Sequence, residues 1–341
     1  MPSIDVAPLD LESVIMRALV ASGASRANAR PVAESAVAAE AAGAASHGLA
    51  YVPTYCEHVR IGKVDGAAVP TLERVKSSLL VADARSGFAH PAIAIGFDAL
   101  VPLARETGVA ALAIRNSYNC GMLSFHTDRL AAAGLIGIGF TNAPASIAPP
   151  GGMRPVIGTN PFAIAIPDGR GGLALSIDQS ASVVARSEVM KHAREGKPIP
   201  AGWALDPEGR PTTDAALALK GTMVPTGGYK GVGIGLMVEL LAAAATGATL
   251  GIDASPFMAP TGGPPRTGQF FLAIDAGASS AGLFPERIAR LSEAFLAQPG
   301  VRLPGARRAA ARARAAATGR LAVDAELLAR IAGLAETAEP A

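Results

Sequence analysis

The stretch SLLVADARSGFAHPAIAIGFDALVPLARETGVAALAIRN, residues 78–116, decides the fold. A short apolar run, Ser78–Ala84, precedes a longer segment that closes at Gly108, and a second short run, Val109–Asn116, follows. Short apolar runs separated by a helical segment mark an α/β protein. The alternation continues downstream. A helix is expected up to Ala133, and strands at LIGIGFTN (135–142), PFAIAIP (161–167) and LALSID (173–178). LMVELLAAAATG (236–247) reads as a buried helix and FFLAIDA (270–276) as a late strand. Nothing in these runs requires a parallel sheet.

Upstream of this region the period is helical. Val14, Ile15, Leu19 and Val20 line a first helix ended by Gly23, and a second, roughly Arg26 to Ala42, is closed by Gly43. Ser46-His47-Gly48 then lies on a connection before a third helix that carries Val52, Tyr55 and Val59 on one side. Between Lys191 and Lys220 a polar, proline- and glycine-bearing stretch is either a surface excursion or a flap over a site. The arginines at 302, 307, 308, 312, 314 and 320, set among alanines, have the composition of a solvated helix face.

Composition bounds the function. A chain of 341 residues exceeds the size at which single cores stop growing, roughly 250–300 residues, so two lobes are expected. Hydrophobic residues make up 50% and charged ones 17%, enough for a large core. A formal charge of +2 with 4% aromatics argues against a nucleic-acid partner. The acidic N-terminal segment does not resemble a secretory signal, and no apolar run approaches the ~18 residues of a membrane span; a cytoplasmic location with no membrane partner is expected. Cys56 and Cys120 are read as free thiols.

Familiar motifs are missing. No strand runs into G-x-G-x-x-G, and neither a phosphate-binding G-x-x-x-x-G-K-[ST] nor a hydrolase G-x-S-x-G occurs. Gly231-Val232-Gly233-Ile234-Gly235 imitates the first but opens an apolar helix, where small residues more often serve close packing. The histidines at 47, 58, 90, 126 and 192 are scattered without ligand spacing, so no metal is expected. Three polar segments stand out instead: ASHG (45–48), RNSYNCG (115–121) and GGMRPVIGTNP (151–161). Each alone has a bland reading as a turn or cap. A sheet edge that gathers all three would make a ligand site.

These segments, in order, resemble the type-2 malate/L-lactate dehydrogenase family of nicotinamide-dependent enzymes. Ser46-His47-Gly48, Arg115 to Gly121, Leu135 to Pro161, Ser176-Ile177-Asp178, Gly227 to Gly231, Thr267-Gly268-Gln269 and Arg302 to Gly305 carry the likeness over nearly the whole chain. FAHPAIA, AIRNS, RSEVMKHAREGKPIPAGWALDPEGRPT and GGYKGVGIGLMVELLAAAATG resemble most its branch of 1-piperideine-2-carboxylate/1-pyrroline-2-carboxylate reductases. The resemblance implies a non-Rossmann α/β fold. A central mixed sheet forms a cofactor lobe over 116–275, and a helical lobe takes residues 1–115 with 276–341. It also implies a homodimer.

The same resemblance assigns roles. His47 is the proton donor, with Ser46 and Glu188 as its relay. The branch usually has aspartate at the acid position. Substrate contacts fall to Tyr51, Arg154, Thr159 and Asn160. The cofactor, NADPH with NADH as alternative, lies along Asn119, Cys120, Gly121, Met122, Leu123, Asp178, Gln179, Ser180, Tyr229, Lys230, Arg307 and Arg308; the two arginines suit a 2′-phosphate. Two positions depart from the family. Tyr51 replaces an arginine that clamps a substrate carboxylate, and Asn119 replaces a second histidine. Loss of these cations points to a small cyclic imino acid as substrate, reduced to L-proline or L-pipecolate. A 2-oxo acid/2-hydroxy acid dehydrogenase, or a member that binds cofactor without turnover, is the alternative.

Overall fold

The structure, a computed structural model, describes residues 3–336. Strand β1 (Ser3–Val6) leads into α1 (Pro8–Ala21) and α2 (Arg26–Ala41); two single 3-10 turns, Ala45–His47 and Leu49–Tyr51, precede α3 (Val52–Arg60). Next come β2 (Thr71–Lys76), β3 (Leu79–Asp83), α4 (Ala89–Thr107), β4 (Val109–Ser117), α5 (Leu123–Ala132), β5 (Ile136–Thr141), β6 (Phe162–Pro167) and β7 (Leu173–Gln179). An excursion holds α6 (Arg186–Arg194), β8 (Ala204–Leu205), β9 (Pro211–Thr212), α7 (Ala215–Lys220) and β10 (Thr222–Met223). Then α8 (Tyr229–Glu239) runs into a π-helical segment, Leu240–Ala244. The chain continues through β11 (Thr267–Ile274), α9 (Ala276–Ser279), α10 (Phe284–Leu296), α11 (Ala306–Thr318), β12 (Leu321–Asp324) and α12 (Ala325–Glu336).

The quoted stretch folds as β3-α4-β4. Its two strands pair in parallel, Leu79 beside Ala111 through Asp83 beside Arg115, with α4 as the crossover. Ile93, Phe97, Leu100 and Leu103, three or four apart, bury one face of α4 on the sheet. The approach is close: a Cβ on Gly96 would stand 2.4 Å from Leu112 Cδ2. Every other pairing in this seven-stranded sheet, ordered β2-β3-β4-β11-β5-β6-β7, is antiparallel. The sheet is therefore mixed, as expected. It takes strands from both sides of residue 115, so the lobe boundary at 115/116 falls inside β4.

A second core joins α1, α2, α3 and α12 through Leu11, Ile15, Leu19, Val32, Leu49, Val52, Tyr55 and Ile331, and the antiparallel pair β1–β12 seals its edge. The polar stretch of the excursion is no bare flap. Its short strands form the sheet β10-β8-β9 around Ile147, Ile157, Val189, Ile199 and Met223. Two expectations are corrected. The helix at 236–247 is buried on one side only, with Leu236 48%, Met237 42% and Leu240 55% exposed in the single chain, because its apolar residues run all round the helix while the sheet covers one flank. The basic tail is not merely solvated: Arg312 pairs with Asp128 at 3.0 Å and Arg308 Nη2 donates to the Ser176 carbonyl at 2.8 Å, fastening α11 to the sheet lobe. Both cysteines are buried and unpaired. Among the described residues no helix is long and apolar enough to cross a membrane, and no cluster of three or more ligand-type side chains could hold a metal.

Candidate active site

Gly43, at φ +71°, ends α2 and turns the chain into the 3-10 turn that carries Ser46 and His47. Glu40, at the end of α2, accepts the Leu49 N–H at 2.7 Å and braces the turn from below. A Cβ on residue 48 would meet Glu40 Oε1 at 2.4 Å, so a side chain there would push the Glu40 carboxylate off the Leu49 N–H. Burial raises the basicity of the Glu40 carboxylate, and the Leu49 hydrogen bond opposes that. Ser46 Oγ lies 3.1 Å from His47 Nδ1, which leaves Nε2 for other partners. His47 is an exposed residue of the turn, yet protein atoms crowd its imidazole. Crowding lowers its pKa from the ordinary 6.5, and the nearby Asp178 carboxylate pushes the other way.

Asp178 sits near the end of β7, where its Oδ2 accepts the Ser124 N–H at 2.8 Å in the first turn of α5. Two distant segments of the sequence thus meet, a histidine on the helical lobe and an aspartate on the sheet. The Asp178 carboxylate is the charge that His47 feels. Glu188, expected in that place, is in the first turn of α6, and its side chain makes no hydrogen bond or ion pair among the described residues. The charge beside His47 comes from β7, whereas Glu188 lies on α6 in the excursion.

Position 51 is an aromatic wall. Tyr51 stacks at a tilt on Tyr55 with 4.7 Å between ring centroids, and its hydroxyl donates to the Phe257 carbonyl at 3.0 Å. Tyr118 donates to the same carbonyl at 3.2 Å and meets His58 Nδ1 at 2.5 Å. Burial raises the pKa of all three phenols, so they remain protonated. Tyr55 donates to Asn119 Oδ1 at 2.8 Å, and the Gly121 N–H reaches the same oxygen at 3.2 Å, which fixes the orientation of the amide.

The other expected residues divide into surface and core. Gly121 has φ +68° and sits in the loop before α5. Cys120, Met122 and Leu123 beside it have buried side chains, so they can meet a ligand only through their backbone; burial pushes the Cys120 thiol up to about 12. Asn160 is corrected outright. It is fully buried, with Nδ2 donating to Gly235 O at 2.9 Å and Glu239 Oε2 at 2.7 Å, and Oδ1 accepting from Ala143 N at 3.1 Å, so it braces α8 and does not face a substrate. Thr159 receives the Ala181 N–H on its carbonyl and keeps its hydroxyl unbonded. Arg154 is exposed and unpaired. Gln179 ends β7 exposed, and Ser180 Oγ bonds within its own turn to Ser182 Oγ at 3.0 Å. Tyr229 and Lys230 open α8 exposed, after Gly227 and Gly228 at φ +62° and +65°. Arg307 is exposed, whereas Arg308 is spent on Ser176, two residues before Asp178 on β7.

These positions suit a dinucleotide along β7. The Ser176 N–H donates to the Pro304 carbonyl at 3.2 Å, and a Cβ on Gly305 would strike Ser176 O at 2.8 Å, so the segment that carries Arg307 is held against that strand. Arg307 offers a free guanidinium and Lys230 a free ammonium. Sequence reasoning missed Glu40, Tyr55, Tyr118 and Ser124. Nothing in their spacing signals a site, because each works through a contact made only in the folded chain.

Comparison with known proteins gives one answer at the level of family. The profile of the malate/L-lactate dehydrogenase family matches residues 6–332. The chain is 47% identical to a (2R)-3-sulfolactate dehydrogenase (NADP(+)) of Chromohalobacter salexigens over 89% of this chain and 90% of that protein. It is 40% identical to a delta(1)-pyrroline-2-carboxylate reductase of Ancylobacter novellus over 93% of each. The solved structure of delta1-piperideine-2-carboxylate reductase from Pseudomonas syringae superposes with a TM-score of 0.91 at 34% identity, covering 97% of this chain and 99% of that one. The chain belongs to the malate/L-lactate dehydrogenase family of oxidoreductases.

Proposed function

We propose that the protein uses NADPH to reduce 1-pyrroline-2-carboxylate, 1-piperideine-2-carboxylate or both, forming L-proline or L-pipecolate. The observation that carries this reading is the charge around His47: the group acting on it is a carboxylate, Asp178, and position 51 holds a tyrosine whose hydroxyl proton is committed to Phe257 O. Reduction of C=N passes through a positively charged nitrogen, which a nearby carboxylate stabilises. Reduction of C=O develops negative charge on oxygen, and that favours a cation this wall lacks.

In this mechanism the dihydronicotinamide, when bound, supplies the hydride. His47 would pass a proton from Nε2 to the ring nitrogen, which completes conversion of the imine to a secondary amine. Ser46 orients the imidazole through Nδ1, and Asp178 supports its protonated form. Asn119 to Leu123, Asp178 to Ser180, Tyr229, Lys230 and Arg307 would hold the cofactor, and Thr159 and Arg154 the substrate. The assembly is proposed as a homodimer, supported by the exposed Leu236, Met237 and Leu240 on one flank of α8 and its π-helical extension.

A second reading is 2-hydroxy acid oxidation, favoured by the 47% identity to a (2R)-3-sulfolactate dehydrogenase. A panel decides between them. Purified protein with NADPH and, separately, each cyclic imine, pyruvate, oxaloacetate and 3-sulfopyruvate is followed by loss of reduced-cofactor absorbance. Fastest turnover of a cyclic imine is expected; faster turnover of 3-sulfopyruvate or another oxo acid would replace this reading with the second.

A further inference from the structure

The loop Asn119–Met122 is backed by polar side chains that the mechanism leaves unused. A Cβ on Gly121 would stand 3.2 Å from Ser35 Oγ of α2 and 3.4 Å from His90 Nε2 of α4. The neighbouring Cys120 carbonyl accepts from His126 Nε2 of α5 at 2.9 Å, and the His90 and His126 ring centroids are 5.6 Å apart. Ser35 and His90 are each 2% exposed and His126 is 1% exposed. Yet Ser35 Oγ, both nitrogens of His90 and Nδ1 of His126 have no hydrogen-bond partner among the described residues.

A buried hydroxyl or imidazole without a partner costs stability, and phenylalanine or alanine would fill the same space without that cost. Here the unpartnered atoms come from three different helices and gather behind one short stretch of backbone. That stretch includes Gly121, whose positive φ most side chains rarely adopt. Buried polar groups in such a cluster are ordinarily joined by internal water, which needs two to four polar partners. The Cys120 carbonyl has two lone pairs, and the bond it accepts from His126 leaves a second for water.

We propose that His90 and Ser35 are positioning residues, which fix the backbone of Cys120–Gly121 through ordered water and so hold the Asn119–Met122 loop in the shape that receives the dinucleotide. This rests on the reading that the loop lines the cofactor site. His90 touches no reacting atom. It acts through the backbone it holds.

The test uses the full-length protein, with NADPH binding measured by calorimetry in the absence of substrate and the thermal midpoint measured alongside. His90→Phe keeps the ring and removes both nitrogens; its expected result is NADPH binding about tenfold weaker with an unchanged or higher midpoint. His90→Gln, which retains a donor and an acceptor, should bind within threefold of wild type. Ser35→Ala should bind about threefold more weakly, and it decides the matter alone if His90→Phe does not fold. Wild-type affinity, within twofold, in folded His90→Phe or, failing that, in Ser35→Ala would overturn the proposal, as would a lower midpoint with unchanged affinity in either. Failure of the wild-type protein itself to bind NADPH or NADH would overturn the cofactor reading, and this proposal with it; normal wild-type binding with unaltered variants would sink this proposal alone.

Discussion

Replacing Asp178 by asparagine removes the carboxylate that raises the basicity of His47 and leaves the crowding that lowers it. A proton donor works only while protonated. The rate of imine reduction should therefore fall as pH rises through a point below the ordinary imidazole value of 6.5, and Asp178→Asn should move that limb to lower pH. A pH profile of kcat/KM for both proteins checks this. His47→Ala should lower kcat by about 10²–10⁴-fold with cofactor affinity retained, the range for loss of a general acid. His126 gives a separate pH effect, on stability. Its folded pKa is depressed to about 4 from 6.5, chiefly by burial, with Arg129 adding to the depression. The unfolded chain then binds the proton first, so stability is level above pH ~6.5, falls by about 3 kcal/mol between there and pH ~4, and is level again below. Urea unfolding at pH 7.5 and 4.5 measures the difference. His47, the proposed proton donor, was legible as a candidate because it stands in a short motif. Its acid was sought at Glu188, since no spacing in a sequence reports that the end of β7 faces a turn more than a hundred residues earlier.

Among the elements, α4 and α11 carry the clearest expectations. Because Leu112 packs against Gly96, Gly96→Ala should cost roughly 1–3 kcal/mol by overpacking, read from the denaturant midpoint. Arg307→Ala should raise the KM for NADPH about tenfold and leave that for NADH nearly unchanged, since a guanidinium facing a 2′-phosphate has no counterpart on NADH. Helices and long strands were legible because their apolar period repeats several times: α4 carries its stripe from Ile93 to Leu103, and β6 alternates buried and half-buried residues along FAIAIP. The excursion was not. Its strands are two residues long, too short for any alternation to be read, and its order comes from a small core gathered from Ile147 to Met223.

At the scale of the molecule, the half-exposed flank of α8 is the feature the sequence hid, since an all-round apolar helix reads the same whether the sheet or a second copy covers it. Leu240→Asp should convert the proposed dimer to monomer in sedimentation velocity, with little change in the fold of each subunit by circular dichroism. The mixed character of the sheet followed from family likeness, whereas the crossing of the 115/116 boundary by its strands was set by pairing that no local pattern reports. The pairing of β1 with β12, Ser3 beside Asp324 and Val6 beside Leu321, has a consequence during synthesis. A nascent chain made at about 5–20 residues per second keeps β1 waiting until all the residues from α1 to β12 have been made. Through that interval the apolar faces of α1 and α2 lack the cover of α12, so the helical lobe cannot close its core until the ribosome has delivered the partner strand.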